Sequence, residues 1–165
     1  MRVLPPDRRL RLTVACDGAA RGNPGPAGIG VVITDEGGDV LAEIPEGIGV
    51  ATNNVAEYTA AIRGLERARE LGATHVLLRS DSRLLVEQLS GRFKVKNPTL
   101  QRLHAEARSI AAGFERVRFE HVPRERNAHA DRLANRGVDD WLARAATQSR
   151  PPETPPARGP VGGSP

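Results

Sequence analysis

A glycine- and proline-rich turn between two apolar strands constrains the fold of this chain more than any other feature. The run 12–16 is typical of a buried strand, and apolar residues alternate along a second strand at 29–33. Between them, 17–26 carries glycines that permit positive φ and prolines that fix φ near about −65°. The sequence therefore predicts a strand, a rigid turn and a second strand, with Asp17 at the rim of a sheet.

The same stretch allows two other interpretations. Asp17 could serve only as the first residue of the turn, where aspartate is common. A glycine loop that binds a nucleotide runs from a strand into a helix, whereas here a strand follows a strand. The nucleotide-binding interpretation is excluded, and the structural one stays open on this stretch alone.

Length and composition predict one globular domain. The chain has 165 residues, of which 39% are hydrophobic and 27% charged. We expect a loose leader at 1–10, a folded domain at 11–146 and a disordered tail rich in Pro, Gly and Ser at 147–165.

Charge and cysteine content narrow the class of protein further. The net charge of +4 favours a polyanionic partner. Cys16 is the only cysteine, so an internal disulfide is excluded and a reducing compartment fits. No apolar run reaches the roughly 18 residues of a membrane span, and no signal peptide is recognisable. These observations predict a cytoplasmic protein.

Further along the chain the hydrophobic period changes from that of strands to that of helices. The expected order is three antiparallel strands, a helix, a strand, two helices, a strand and a final helix. Strands are predicted at about 11–16, 27–35, 39–49, 75–80 and 117–122, and helices at about 52–72, 82–89, 97–110 and 127–141. This α/β order makes the later strands parallel to the first, through right-handed crossovers.

Four acids are expected at one end of that sheet. Asp17 and Asp81 end the first and fourth strands, Glu57 lies in the first turn of a helix, and Asp131 lies about one turn into the last helix. Converging carboxylates repel each other unless a cation neutralises them, and oxygen ligands alone select Mg²⁺, with Mn²⁺ as a second choice. A pair of such ions suits hydrolysis of a phosphodiester.

Four segments of the chain together resemble the signature segments of type 1 ribonuclease H. They are DGAARGNPGPAG at 17–28, TNNVAE at 52–57, SDS at 80–82 and NAHAD at 127–131. The resemblance covers about 11–141, in the order of that family. It implies a ribonuclease H-like three-layer α/β/α fold with a five-stranded mixed sheet. The implied strand order is 3-2-1-4-5, with strand 2 antiparallel and helices on both faces.

The same resemblance implies an activity and a site. The activity is endonucleolytic hydrolysis of the RNA strand of RNA–DNA hybrids, which leaves 3′-hydroxyl and 5′-phosphate ends. Asp17, Glu57, Asp81 and Asp131 are the implied metal-binding and catalytic acids, for two Mg²⁺ ions when substrate is bound. The implied substrate-binding residues are Ala19, Ala20, Gly22, Asn23, Thr52, Asn53, Asn54 and Arg83. No obligate protein partner is implied, and we expect a monomer.

Two features depart from the family pattern. Many members carry an inserted basic handle between the middle helices, whereas this chain has only the linker 92–96, with Lys94 and Lys96. Many also carry a histidine on the loop before the last acid, and here that loop is shortened to 123–126 without a histidine. His129 is near in sequence, but helical geometry turns it about 200° away from Asp131.

Two other functions remain as alternatives. One is a related nuclease on the same fold, such as an exonuclease or a transposase core, which the acid spacing and glycine-rich hairpin match less well. The other is a non-catalytic RNA- or hybrid-binding module. A pure binder gains nothing from clustered negative charge near phosphates, so the four acids favour an enzyme.

Overall fold

The computed structural model describes residues 9–148, which contain five β-strands, four α-helices and one 3-10 turn. The strands are β1 (Arg11–Ala20), β2 (Gly25–Thr34), β3 (Val40–Ala51), β4 (His75–Ser80) and β5 (Arg116–His121). The helices are α1 (Asn53–Glu70), α2 (Arg83–Leu89), α3 (Pro98–Ala111) and α4 (Ala128–Gln148), and the 3-10 turn is Arg124–Asn127. Within the described residues, no helix has the combined length and apolar character that a membrane crossing requires.

The five strands form one mixed sheet in the order β3-β2-β1-β4-β5, which confirms the predicted fold. β2 is antiparallel to β1 and β3, whereas β4 is parallel to β1 and β5. Side chains from α1, α2 and α3 join the main apolar core on one face of the sheet. α4 lies on the other face, across β2, β3 and part of β1, so the fold has three layers.

β1 is longer than the sequence predicts. Its pairing with β2 continues through Asp17 to Ala20, so the turn shrinks to the few residues after Ala20. The partners of this extension are mostly small, including Gly30 opposite Asp17 and Gly28 opposite Ala19. β4, in contrast, pairs with β1 only as far as Ala15, so Asp17 still lies beyond the parallel half of the sheet.

α4 is also longer than predicted. It extends to Gln148 rather than to about Trp141, so Thr147 and Gln148 are helical where the sequence predicts the start of the tail. The rest of the predicted tail, 149–165, and most of the predicted leader, 1–8, lie outside the described residues.

A buried polar network fixes the short linker between α2 and α3. The Tyr58 hydroxyl of α1 lies 2.5 Å from the side-chain oxygen of Gln88, and burial raises the pKa of Tyr58 to about 12. The amide nitrogen of Gln88 donates to the Lys94 carbonyl at 3.2 Å. The Nε2 atom of His104 in α3 lies 3.0 Å from the backbone carbonyl oxygen of Gln88. The linker is therefore held against three helices.

Glycines let two helices approach the central hairpin closely. A Cβ at Gly30 would overlap the carbonyl oxygen of Ala130 in α4. A Cβ at Gly18 would overlap the backbone of Ala56 and Glu57 in α1. Only residues without a side chain fit at these two contacts, and both contacts lie beside an acid of the predicted site.

We expect Gly30→Ala to lower the free energy of unfolding by about 3 kcal/mol, because the added methyl group pushes α4 off the sheet. Gly37→Ala is the matched control, since a Cβ there would meet only the Asp35 side chain at 3.4 Å. Urea unfolding followed by circular dichroism measures both variants. Equal midpoints for the two would contradict close packing of α4 on β2.

Candidate active site

Four separate elements bring the predicted acids to one end of the sheet. Asp17 lies within β1, and Asp81 directly follows β4. Glu57 is in the first turns of α1, and Asp131 is in the first turn of α4. Because the positions follow from strand pairing and helix packing, the acids are held by the fold rather than by a flexible loop.

Three of these acids converge tightly. One carboxylate oxygen each from Asp17, Glu57 and Asp81 lies within 4.8 Å of the others. Asp131 contacts the Asp17 side chain from α4. Asn135, one turn further along α4, donates to the Asp131 carbonyl at 3.0 Å and to its carboxylate at 3.4 Å. The cluster is thus three acids in mutual contact and a fourth at its edge.

Burial and mutual repulsion raise the pKa of two of the acids. Burial, followed by the charge of Asp81, raises the pKa of Asp17 to about 8. Burial is also the largest cause that raises the pKa of Glu57 to about 7, although a hydrogen bond with Ser82 opposes the increase. Keeping all three charged at neutral pH therefore costs free energy, which a bound cation would offset.

The donor set has the chemistry of a hard-cation site. All three converging groups are carboxylates, and hard oxygen donors suit Mg²⁺, Mn²⁺ or Ca²⁺ rather than softer metals. The acids line an open cleft of about 520 Å³, so solvent or a substrate oxygen has access. These residues could therefore hold a divalent metal ion.

The hairpin turn is tied to the start of α1 by the predicted substrate residues. The Asn53 backbone N–H donates to the Asn23 side chain at 3.0 Å, and the Ala20 N–H donates to the Asn53 side chain at 3.0 Å. Thr52 caps α1 by accepting from the Val55 N–H at 3.2 Å. The carbonyl oxygens of both asparagine side chains are used inside the protein, which orients their N–H₂ groups.

A second cleft, of about 270 Å³, lies beside the first. It is lined by Asn23, Thr52, Asn54, Val55, Asn97, Thr99 and Leu100. The sequence pattern identifies Asn97 only as a helix cap, and its side chain does accept from the Leu100 N–H at 3.1 Å. Its place opposite Asn23 depends on how α3 packs against α1.

Two of the predicted substrate residues lie outside both clefts. Gly22 is at the hairpin tip with φ of 98°, and Arg83 is the exposed first residue of α2. Ala19, Ala20 and Asn53 line the acid cleft. The structure therefore divides the predicted substrate residues among four locations: the two clefts, the hairpin tip and the start of α2.

Four residues that line the acid cleft are not among the predicted site residues. They are Gly18, Arg21, Arg124 and Asn135. Arg21 is held by Asp139 of α4, at 2.7 Å from its carboxylate. Arg124 lies on the 3-10 turn before α4, and this turn is fixed by the buried Asn127, which donates to the Cys16 carbonyl at 3.0 Å. Asn135 could have been identified from the sequence, because it lies four residues after Asp131 on a helix and such residues are neighbours.

The histidines occupy different positions around the site. His129 lies 2.7 Å from the carboxylate of Glu43 on β3, turned away from the acids as helical geometry predicts. His121, at the end of β5, meets the backbone carbonyl of Asp81 at 3.3 Å. Of the described residues that line the acid cleft, none is a histidine.

In EDTA, the protein should lose stability as pH rises from about 5 to about 8. The folded-state pKa values of Asp17 and Glu57 lie above their ordinary values of 3.8 and 4.5, so the folded state binds more protons in this range. This stabilising contribution is complete below about pH 4 and is lost as pH rises through the folded pKa values. Thermal melts at several pH values measure it.

Asp17→Asn should flatten this pH dependence and be no less stable than the parent at neutral pH in EDTA, with a gain on the order of 1 kcal/mol. Glu106→Gln, at an exposed position on α3, is the matched control and should follow the parent. A clearly less stable Asp17→Asn would mean that Asp17 is a structural residue of the hairpin.

Comparison with known proteins places the chain in a family. Residues 15–137 match the reverse transcriptase-like family. The chain is 49% identical over 150 residues to the bifunctional protein Rv2228c of Mycobacterium tuberculosis, covering 90% of this chain and 40% of that protein. The chain thus spans less than half the length of this relative.

Other relatives match over most of their own length. Ribonuclease HI of Halobacterium salinarum is 45% identical over 138 residues, which cover 84% of this chain and 69% of the relative. The structure of the N-terminal RNase H domain of Rv2228c superimposes with a TM-score of 0.77 at 51% identity, over 78% of this chain and 99% of that one. LC11-RNase H1 in complex with an RNA/DNA hybrid gives 0.76 at 48% identity, over 79% and 99%. The chain therefore belongs to the type 1 ribonuclease H family.

Proposed function

We propose that this chain is an endonuclease that hydrolyses the RNA strand of RNA–DNA hybrids by a two-metal-ion mechanism. The observation that carries the proposal is the convergence of Asp17, Glu57 and Asp81, whose carboxylate oxygens lie within 4.8 Å of one another in an open cleft. The proposal concerns the domain predicted at 11–146, because the chain spans only part of the relative Rv2228c.

The acids would hold Mg²⁺, with Mn²⁺ as an alternative, and two ions when substrate is bound. The all-oxygen donor set fits either ion, and the raised pKa values of Asp17 and Glu57 support the proposal that a cation neutralises the cluster. When bound, such ions lower the pKa of a water molecule and stabilise charge on the reacting phosphate. Asp17, Glu57 and Asp81 are the proposed primary ligands, with Asp131 as a further ligand from α4.

Asp131 has a task of its own in this reaction. Asp131, fixed by Asn135, lies at the open edge of the cluster, where an attacking water can approach. The water oxygen bonds to phosphorus as the bond from phosphorus to the ribose 3′ oxygen breaks, and that oxygen takes up a proton. The products are a 3′-hydroxyl and a 5′-phosphate.

Selection of a hybrid would come from the two adjacent clefts. Ala19 and Ala20, at the end of β1, line the acid cleft, where the RNA strand and its 2′-hydroxyl groups would lie. The second cleft, with Asn23, Thr52 and Asn54, offers neutral polar groups to the DNA strand. The similarity to LC11-RNase H1, which was solved with an RNA/DNA hybrid, supports this assignment.

Arg124 lines the acid cleft from the 3-10 turn before α4, in the segment where the family resemblance leads one to expect a histidine. A guanidinium stays charged at neutral pH and cannot exchange a proton, so Arg124 would bind phosphate rather than serve as an acid or base. The proposed location is the cytoplasm, because a single cysteine permits no internal disulfide and fits a reducing compartment.

We expect Mg²⁺-dependent cleavage that is confined to the RNA strand of a hybrid. The test incubates the protein with an RNA–DNA hybrid, double-stranded RNA and double-stranded DNA, with Mg²⁺ or EDTA. Asp17→Asn should be inactive, and Mg²⁺ should raise its melting temperature less than that of the parent. Cutting of double-stranded DNA at a comparable rate, or full activity in EDTA, would refute the proposal. Binding of the hybrid without turnover would instead identify a non-catalytic module.

Arg124→Ala and His129→Ala form a second, matched test. Arg124→Ala should raise KM for the hybrid about tenfold and leave kcat nearly unchanged, because a phosphate contact of the bound substrate is lost. His129→Ala should keep most activity, since His129 faces Glu43 on β3. Steady-state kinetics on a short hybrid measures kcat and KM for both variants. A hundredfold loss of kcat in folded His129→Ala would show that this histidine acts in catalysis.

A further inference from the structure

A second charged surface lies on the face of the sheet that α4 leaves open. α4 covers β2, β3 and part of β1, and in the described part of the chain no helix packs on the same face of β4 and β5. The strand register puts Arg11, His75 and Arg116 in one row across β1, β4 and β5. Thr13, Leu77 and Arg118 form the next row. All six side chains lie on this face, because the alternate residues of these strands enter the apolar core.

These rows line a cleft with a strong positive charge. The cleft has a volume of about 380 Å³ and is bordered by four arginines, here named the arginine face: Arg9, Arg11, Arg116 and Arg118. Among the described residues, the only acid that lines it is Glu36, which lies 3.5 Å from Arg11 with both side chains mostly exposed. Within residues 9–148, Arg9, Arg116 and Arg118 have no ion-pair partner. Their charge is therefore available to a ligand.

The arginine face lies far from the acids. Arg11 and Asp17 are six residues apart on β1, which corresponds to about 20 Å along an extended strand. Arg11, His75 and Arg116 lie at the starts of β1, β4 and β5, whereas Asp17 and Asp81 lie towards the opposite ends of their strands. A ligand on the arginine face is thus separate from one that contacts the acids.

The chemistry of the arginine face favours a phosphodiester backbone over a protein partner. Guanidinium groups bind phosphate oxygens in a bidentate manner. Arg116 and Arg118 are two residues apart, so their origins are about 7 Å apart, close to the axial rise of two nucleotides in one strand. Protein interfaces are centred on apolar and aromatic groups, whereas the described residues of this lining include no Phe, Tyr or Trp, and Leu77 is only partly exposed.

We propose that the arginine face binds the phosphate backbone of a nucleic acid segment other than the one at the acids. Contacts from guanidinium groups to phosphate oxygens are the same for every base, so this binding is independent of base sequence. Such a contact would keep the protein on nucleic acid without the inserted basic handle that this chain lacks. The binding itself does not depend on cleavage.

The test measures how strongly salt weakens binding of a fluorescently labelled 16-base-pair DNA duplex, in EDTA, by anisotropy. Each phosphate contact contributes about 0.9 to the slope of log K against log salt. Arg116→Gln/Arg118→Gln should therefore reduce the slope by about 2, and Arg118→Gln alone by about 1. Between 50 and 200 mM salt, the parent should lose about tenfold more affinity than the double variant.

The matched control is Arg67→Gln/Arg69→Gln, which removes the same charge from the end of α1 on the opposite face of the sheet. It should keep the parental slope, and all variants should keep the parental melting temperature and cleavage of a short hybrid.

An equal loss of slope in the control would overturn the proposal in favour of a general charge effect. Displacement of the duplex by polyglutamate as effectively as by unlabelled duplex would also overturn it, and would identify a site for acidic proteins. Since binding is measured in EDTA, failure of the proposed cleavage would leave this result intact.

Discussion

Repulsion among buried carboxylates is the unfavourable interaction that the rest of this structure must offset. Burial, and after it the charges of the neighbouring acids, raises the pKa of Asp17 to about 8, so the fold must hold Asp17, Glu57 and Asp81 together by other contacts. Those contacts are the helices packed on the central hairpin. α1 rests on Gly18 and α4 on Gly30, and a methyl group at either position would separate a helix and its acid from β1. Apolar burial beneath the sheet supplies the free energy that keeps the charges in place.

The neutral polar residues around the acids also hold the elements of the site together. Asn23 and Asn53 connect the hairpin turn to α1, and Asn127 connects the start of α4 to Cys16 in β1. Each link joins an element that carries an acid to the strand that carries Asp17. The site is therefore preorganised before any substrate binds, which is the condition under which fixed groups contribute most to catalysis. A bound cation would offset repulsion that the folded protein already contains.

Much of the fold was predictable because its signals are local. The change from strand to helix period gave the element order, and the acids lie at strand ends and helix starts, where sequence motifs are strong. The extension of β1 to Ala20 was not predictable, because it depends on small residues of β2 that pair with it from across the turn. Arg124 and Asn97 were missed as cleft residues for a related reason. Their positions depend on how a 3-10 turn and α3 pack against elements that are distant in sequence. The hydrophobic period of the sequence contains no information about that packing.

The order of elements along the chain has a consequence for biosynthesis. Asn127 and Cys16, which the site needs in contact, are 111 positions apart, and α4 is the last helix of the described chain. A ribosome delivers the hairpin, α1 and β4 first, and these already contain Asp17, Glu57 and Asp81. The face of β2 and β3 that α4 covers then stays open to solvent until translation passes Ala130 and Leu133. A nascent chain is consequently without Asp131 and Arg124 until translation has passed them, so the cluster of acids is completed only after α4 has been synthesised.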